Sequence, residues 1–588
     1  MQGIRALAVA LSATTFMGVS PVESYSQAQL AMLDPSARAA DMCSSRGGAN
    51  AMRTMLAAAA AAVQPDQTAA TPLYDGLGKI DFSITTANPL AQRYFSQGLG
   101  FAYGFNHAAA IASFRAAQKL DPACAMCWWG EALAHGPNIN APLTPDANQL
   151  ALDSIARAQA LATNVTPPER ALIMALARRY SDKPDAVRAT LDGAYADAML
   201  TVARYYPAHD DIALLAAEAA MDTLPWDYWE ADRQTAKPRL GEAIALVERV
   251  MARNPAHPQG NHLYIHLLEN GPDPKRAEAA ADRLATGLAR DAGHMVHMPA
   301  HIYYRLGRWK DSIRVNIAAA RQDEAYIRAS NDRGFVRYGY YPHNVHFIVT
   351  SAQMAGELPT AIRESKRLTQ IVDVETATQI AWIQAIHAAP YFAALQFASA
   401  AEVLAMPAPD PRLAYVSAMR HYARAVAYAQ QLNQRGFDVE IAALQRLRKS
   451  GALKPLVDQG VPAPDLIQLA EHVARGRLAS ARGRHDQAAE HYRRAVAIED
   501  KIPYMEPPWW YYPVRQSLGG ALYRAGRYDE ARQAFGDALV RAPNNGWALY
   551  GLAASERALG RRAHAAAAQM ALGRAWSGDP RWLRMERL

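Results

Sequence analysis

Three histidines, at 294, 297 and 301, fall within the nine residues GHMVHMPAH. Two more stand at 262 and 266 in GNHLYIHLLENGPDP, and another two at 343 and 346 in YYPHNVHF. The pairs His262/His266 and His297/His301 are spaced i, i+4. At that separation two imidazoles on one helix face share a transition-metal ion at about 2.0–2.1 Å. Imidazole joined by a carboxylate such as Glu269 suits copper, zinc or iron rather than calcium or magnesium. The ligand set expected from sequence is therefore His262, His266, His297, His301, His346 and Glu269, with Cu, Zn or Fe as cofactor. His294, His343, Glu218 and Tyr304 are expected as further residues of the same face. Met295 and Met298 are soft enough for Cu(I), but methionine on a helix more often fills a core.

These side chains meet only if successive helices present them in register. Strand signals are nearly absent from the chain. A pattern instead returns about every 34 residues: Tyr94, Gly98, Phe101, Ala110, Phe114, Ala117 and Pro122 in one unit, Leu518, Gly519, Leu522, Ala531, Phe535, Ala538 and Pro543 in another. In these residues the chain resembles the tetratricopeptide-repeat (TPR) superfamily from about residue 84 to 580. The resemblance implies an all-α fold, a right-handed superhelical solenoid of antiparallel helix pairs, each burying its apolar face on its neighbours.

Turn residues set the phase of each unit. Gly307 less 13, 10 and 6 gives His294, His297 and His301; Gly356 less 13 and 10 gives His343 and His346; Pro272 less 10 and 6 gives His262 and His266. At about 100° per residue these positions share an arc of roughly 80°. The packing positions, Val296, Pro299, Ala300 and Tyr303 in one unit, project to the other side. By the resemblance, the histidine face lines the concave groove. Helices in contact lie about 8–10 Å apart, so in-phase imidazoles from neighbouring units converge. A groove that contacts peptide through its histidines would carry the same stripe, and that alternative stays open.

A second unusual stretch, DPACAMCWWGEALAHGPNINAP, places Cys124 and Cys127 in the first turn of a helix. They are expected as a local disulfide or two half-buried thiols; Trp128 stands where a c-type haem motif needs histidine. Glu131 and His135 are spaced i, i+4 and could face the groove. The GPNIN loop that follows presents Asn138 and Asn140. In MEPPWWYYPVRQSLGG, Arg515 occupies a packing position and needs a partner, for which Glu506 is nearest in sequence. Its tryptophans and tyrosines either wall a pocket or seal the junction between two arrays.

As a set, these stretches resemble exported bacterial TPR proteins, a resemblance that implies the fold and no catalytic role. The expected organisation is a signal peptide over 1–27, a flanking segment partly helical or disordered over 28–83, an N-terminal array with the histidine-lined groove over 84–400, an irregular connector over 401–466, and a C-terminal array over 467–580. Arg5 and the apolar run after it carry the signal-peptide reading, which implies a periplasmic or secreted protein. No later run is long and apolar enough for a membrane span. The 588 residues carry a formal charge of only +7, and no basic run is interleaved with aromatics, which argues against nucleic acid. Phosphate-loop, dinucleotide, nucleophile-elbow and zinc-protease motifs are absent. Two functions remain: a metal-binding groove, with or without catalysis on a small molecule, or a TPR scaffold for peptides and proteins.

Overall fold

The structure, a computed structural model, describes residues 72–588 apart from 231 and 504. The signal-peptide segment and most of the flanking segment lie outside the described residues. From Pro89 onward the chain is a succession of helical hairpins, beginning with Pro89–Tyr103 and His107–Leu120 and ending with Gly546–Ala558 and Arg562–Ala575. Extended pairing among the described residues is limited to the isolated bridges Asn138↔Ala141 and Trp229↔Ala236. The protein is an all-α solenoid of antiparallel helix pairs, as the repeat implied.

Interlocked glycine and aromatic residues fix how hairpins stack. A methyl at Gly98 would meet the Phe114 ring at 2.7 Å, and one at Gly130, in the next unit, would overlap the same ring. Far along the chain Gly519, Phe535 and Gly551 repeat the arrangement. Gly551→Ala should therefore destabilise the protein by about 1–3 kcal/mol through overpacking. Gly573→Ala, on a helix where a methyl meets nothing within 4 Å, should stabilise it by up to about 1 kcal/mol. Denaturant midpoints that move the same way in both variants would contradict this account.

The stretch expected to be irregular contains a regular pair, Ala414–Gln430 and Gln434–Lys449. The proline-rich MPAPDP precedes that pair, and GVPAPD leads into the helix Ala463–Ala481 that follows the short pieces after it. Shorter pieces lie before it, from Val374–Gln379 to Ala400–Ala405.

The solenoid also closes on itself. Asn544 Nδ2 donates to Leu306 O at 3.3 Å, Trp547 Nε1 to Gln353 O at 2.9 Å, and the Ser577 amide to Ala355 O at 2.8 Å. Gly307 (φ 68°) ends its helix in the left-handed region, and a methyl there would overlap the Pro543 carbonyl. The C-terminal hairpins thus lie along the turns of the histidine-bearing units. On the concave side His262, His266, His294, His297, His301 and His346 are buried, and His343 is partly so.

Candidate metal centre

Three consecutive units supply the histidines. His262 and His266 stand on Pro258–Glu269. His294 and His297 lie on Gly293–His297, and His301 on Pro299–Leu306. Pro299 lacks the amide that would continue the helix, yet Met298 keeps helical dihedrals (φ −51°, ψ −36°), so the stripe persists across the break. His343 opens Tyr341–Ala355, just after a π-helical turn at Val336–Tyr340 that brings Tyr340 to 4.5 Å from the His294 ring.

The rings gather into two groups of three. One is His262, His266 and His294; the other is His297, His301 and His343. In each, one ligand atom from every residue lies within 4.8 Å of the others. Within them, His262 Nε2 is 3.2 Å from His294 Nε2, and His297 Nε2 is 2.9 Å from His301 Nε2. The edge of a tetrahedron with 2.0–2.1 Å arms is about 3.3 Å. The groups adjoin, with His266 and His301 ring centres 6.0 Å apart and those of His294 and His297 6.1 Å apart. A single phenylalanine packs on all three rings of each group. Phe105 lies 4.7, 5.9 and 5.4 Å from the first, and Phe347 lies 5.0, 5.2 and 5.0 Å from the second.

Hydrogen-bond direction decides what the inner nitrogens offer. His262 Nδ1 faces Gln259 Oε1 at 2.9 Å, and the Gln259 amide nitrogen donates to Glu218. His297 Nδ1 faces Asn316 Oδ1 at 2.6 Å, and the Asn316 amide nitrogen donates to Ser312 O. His266 Nδ1 faces Glu269 Oε1 at 2.8 Å, and His301 Nδ1 faces Glu506 Oε2 at 2.8 Å with Glu269 Oε2 at 2.6 Å. Each outer partner is an acceptor, so each Nδ1 carries a hydrogen. The Nε2 lone pairs of His262, His266 and His297 then point inward, and His266 Nε2 has no hydrogen-bond partner among the described residues. Outer acceptors that fix the tautomer of a ligating imidazole are the usual support of a histidine metal site. The third grouping, Glu269, His301 and Glu506, supplies this support to the second trio.

Electrostatics agree. Burial holds the His262, His294, His297 and His343 rings far below their ordinary value, with neighbouring histidines adding to the effect, so these rings are neutral. His301 is the exception. Burial would strip its proton, but Glu269 and Glu506 outweigh burial and raise it to about 10. Glu269 is held at about 2 by His301 and His266, against its own burial. The raised value keeps a proton on His301 Nε2, which bridges to His297 Nε2.

The residues expected from sequence divide accordingly. His346 belongs to neither trio; its ring lies 4.8 Å from Tyr511, and His343 takes the position it was expected to hold. His294, expected only as an additional residue, completes the first trio. Glu218 acts through Gln259, and Tyr304 packs on Trp309 and Phe347. Glu131 is taken by Arg115 and Gln118, each at 2.6 Å, and His135 lies 3.5 Å from Glu131. Asn138 bonds His107 at 3.0 Å, whereas Asn140 reaches Tyr340 at 3.3 Å and so touches the ring stacked on His294. Cys124 and Cys127 are joined in a disulfide. Arg515 pairs with Asp500 at 2.7 Å, which leaves Glu506 to His301. Sequence reasoning missed Gln259, Asn316, Phe105 and Phe347. Gln259 alone had a signal, since it sits three residues before His262 as Glu269 sits three after His266.

Beneath the histidine helix, a methyl at Gly293 would overlap Asp323, whose carboxyl accepts from Asn344 at 2.7 Å. Burial pushes Asp323 up to about 8. An unfolded aspartate titrates near 3.9. Between about pH 4 and 8 the folded chain therefore holds a proton that the unfolded chain has released, and stability falls as pH rises, by up to about 1.4 kcal/mol per unit. Asp323→Asn should flatten that slope in unfolding midpoints measured across the window; an unchanged slope would refute it.

The fold and the site together define a TPR-like helical solenoid built around a buried histidine centre. Solved structures similar to the chain include human IFIT1, as a dimer with m7Gppp-AAAA, at 13% identity over 74% of this chain and 87% of that one, TM-score 0.29. Yeast Tom70 is similar at 11% identity over 84% and 94%, TM-score 0.25. The P58(IPK) TPR domain is similar at 13% over 80% and 98%, TM-score 0.20. No family model and no curated relative matches. Likeness at this level concerns the fold alone.

Proposed function

We propose that the solenoid binds a transition metal, copper, zinc or iron, in its enclosed interior. One observation carries this reading: His262, His266, His297 and His301 hold Nδ1 against outer acceptors and turn Nε2 inward, where His294 and His343 complete two trios. Three nitrogen ligands leave a fourth position on the ion for water or a small substrate. A cavity of about 140 Å³ lies beside the site, lined by Glu506, Tyr304, Arg233 and Trp509 among others. A metalloenzyme acting on a small molecule is the form of this function that the cavity favours.

A peptide- or protein-binding scaffold is the second reading, since helical solenoids present concave binding surfaces. Against it, the loop bearing Trp510 and Tyr511 fills the concave side; Tyr511 stacks on Phe392 at 4.3 Å and donates to Ala385 O. The disulfide fits an exported protein in an oxidising compartment. Among the described residues no helix is long and apolar enough to cross a membrane.

The test is elemental analysis of the purified chain, before and after incubation with each metal and removal of excess. Uptake by the wild type that falls in His297→Ala/His301→Ala supports the metal reading. A folded wild-type protein that retains none of the three metals overturns it.

A further inference from the structure

Building on the metal reading, we propose that the two histidine trios hold a pair of copper ions as one dinuclear centre. The trios are equivalent in construction. Each combines an i, i+4 pair of one hairpin with a ring from the next, since His294 joins His262/His266 and His343 joins His297/His301. Each contains one close Nε2–Nε2 approach, of 3.2 and 2.9 Å. Each is covered by one phenylalanine that touches all three of its rings, Phe105 and Phe347. A lone site would need none of this duplication.

The trios are also joined. Glu269 accepts from His266 of the first through Oε1 and lies 2.6 Å from His301 of the second through Oε2. One carboxylate thereby orients a ligand in each trio. His294 and His297 share one short helix, and their ring centres are 6.1 Å apart. Ions placed inside adjoining trios are neighbours, the arrangement of two-metal sites, in which separations are about 3.5–4 Å.

Donor chemistry selects the metal. All six ligands are imidazoles, which suit copper, and among divalent first-row ions copper tops the affinity order for such sites. Among the described residues, the carboxylates against the ligand rings are Glu269 and Glu506, both buried, which carry two negative charges when ionised. Two cuprous ions carry two positive charges and match them. Two divalent ions exceed them by two, so the oxidised or zinc-loaded pair calls for further anions.

The experiment uses the full purified chain and copper(I) buffered by a competing chelator. Two coppers per chain are expected, falling to one in His262→Ala/His266→Ala and to one in His297→Ala/His301→Ala. After oxidation, the two Cu(II) spins should cancel in the wild type by electron paramagnetic resonance, whereas either variant should show the signal of one isolated Cu(II). The wild-type measurements stand even if a variant fails to fold. Saturation at one copper per chain, or two coppers with full independent signals, overturns the pair and leaves the metal reading intact. Retention of no metal of any kind overturns both.

Discussion

Glu506→Ala is expected to destabilise the protein by about 3–5 kcal/mol and to weaken metal binding about 10–100-fold. The first figure follows from breaking a buried pair: Glu506 and His301 are both almost fully enclosed, and the carboxylate lies 2.8 Å from the ring. Removing one partner strands the other charge away from water. The second follows from loss of the acceptor that orients a ligating imidazole. Glu506→Gln separates the two effects. It keeps an oxygen for the Nδ1 hydrogen, so stability should recover further than affinity. Denaturant unfolding and metal competition on the three proteins provide the measurement. A Glu506→Ala protein as stable as the wild type would show that the 505–513 loop does not clamp the centre.

Metal loading is expected to produce the other large effect. Any ligand that binds only the folded chain stabilises it by mass action, by about 2.7 kcal/mol at a free concentration of 100 Kd. The gain should be localised. Hydrogen exchange should slow in Pro258–Glu269, in the helices from Gly293 to Leu306, in Tyr341–Ala355 and around Glu506, because those segments supply the ligands and their supports. The hairpins at 414–449 should change little, and a chelator should reverse the effect. Uniform slowing along the chain would mean that metal acts elsewhere, or on the solenoid as a whole.

The repeat was legible because its signal is local. Gly98 and Phe114 recur as Gly519 and Phe535 at the same spacing, and both pairs interlock in space. The histidine stripe was legible for the same reason, since helical phase alone brings His262, His266, His297 and His301 to one side. Phase alone did not distinguish His343 from His346. Both stand in the repeat's inward arc, and the choice depends on tertiary neighbours, His297 and His301 for one ring and Tyr511 for the other. Glu506 was out of reach for a different reason. It lies 205 residues from His301, and nothing short of the closure of the solenoid brings the two together. In sequence it stood nearest Arg515, which Asp500 satisfies instead. Phe105 sits in the turn before His107–Leu120, and its role depends on a left-handed backbone (φ 54°) that aims the ring at the first trio.

Closure of the solenoid also fixes when the centre exists. A ribosome adding about 5–20 residues per second needs roughly 10–40 s to travel the 205 residues from His301 to Glu506. Throughout that interval the imidazoles are made but their clamp is not. The hairpins that fasten against Leu306, Gln353 and Ala355 are later still. Cargo captured by the nascent chain would be held by a half-built cage, so the finished protein, and not the growing one, is the species equipped to retain it.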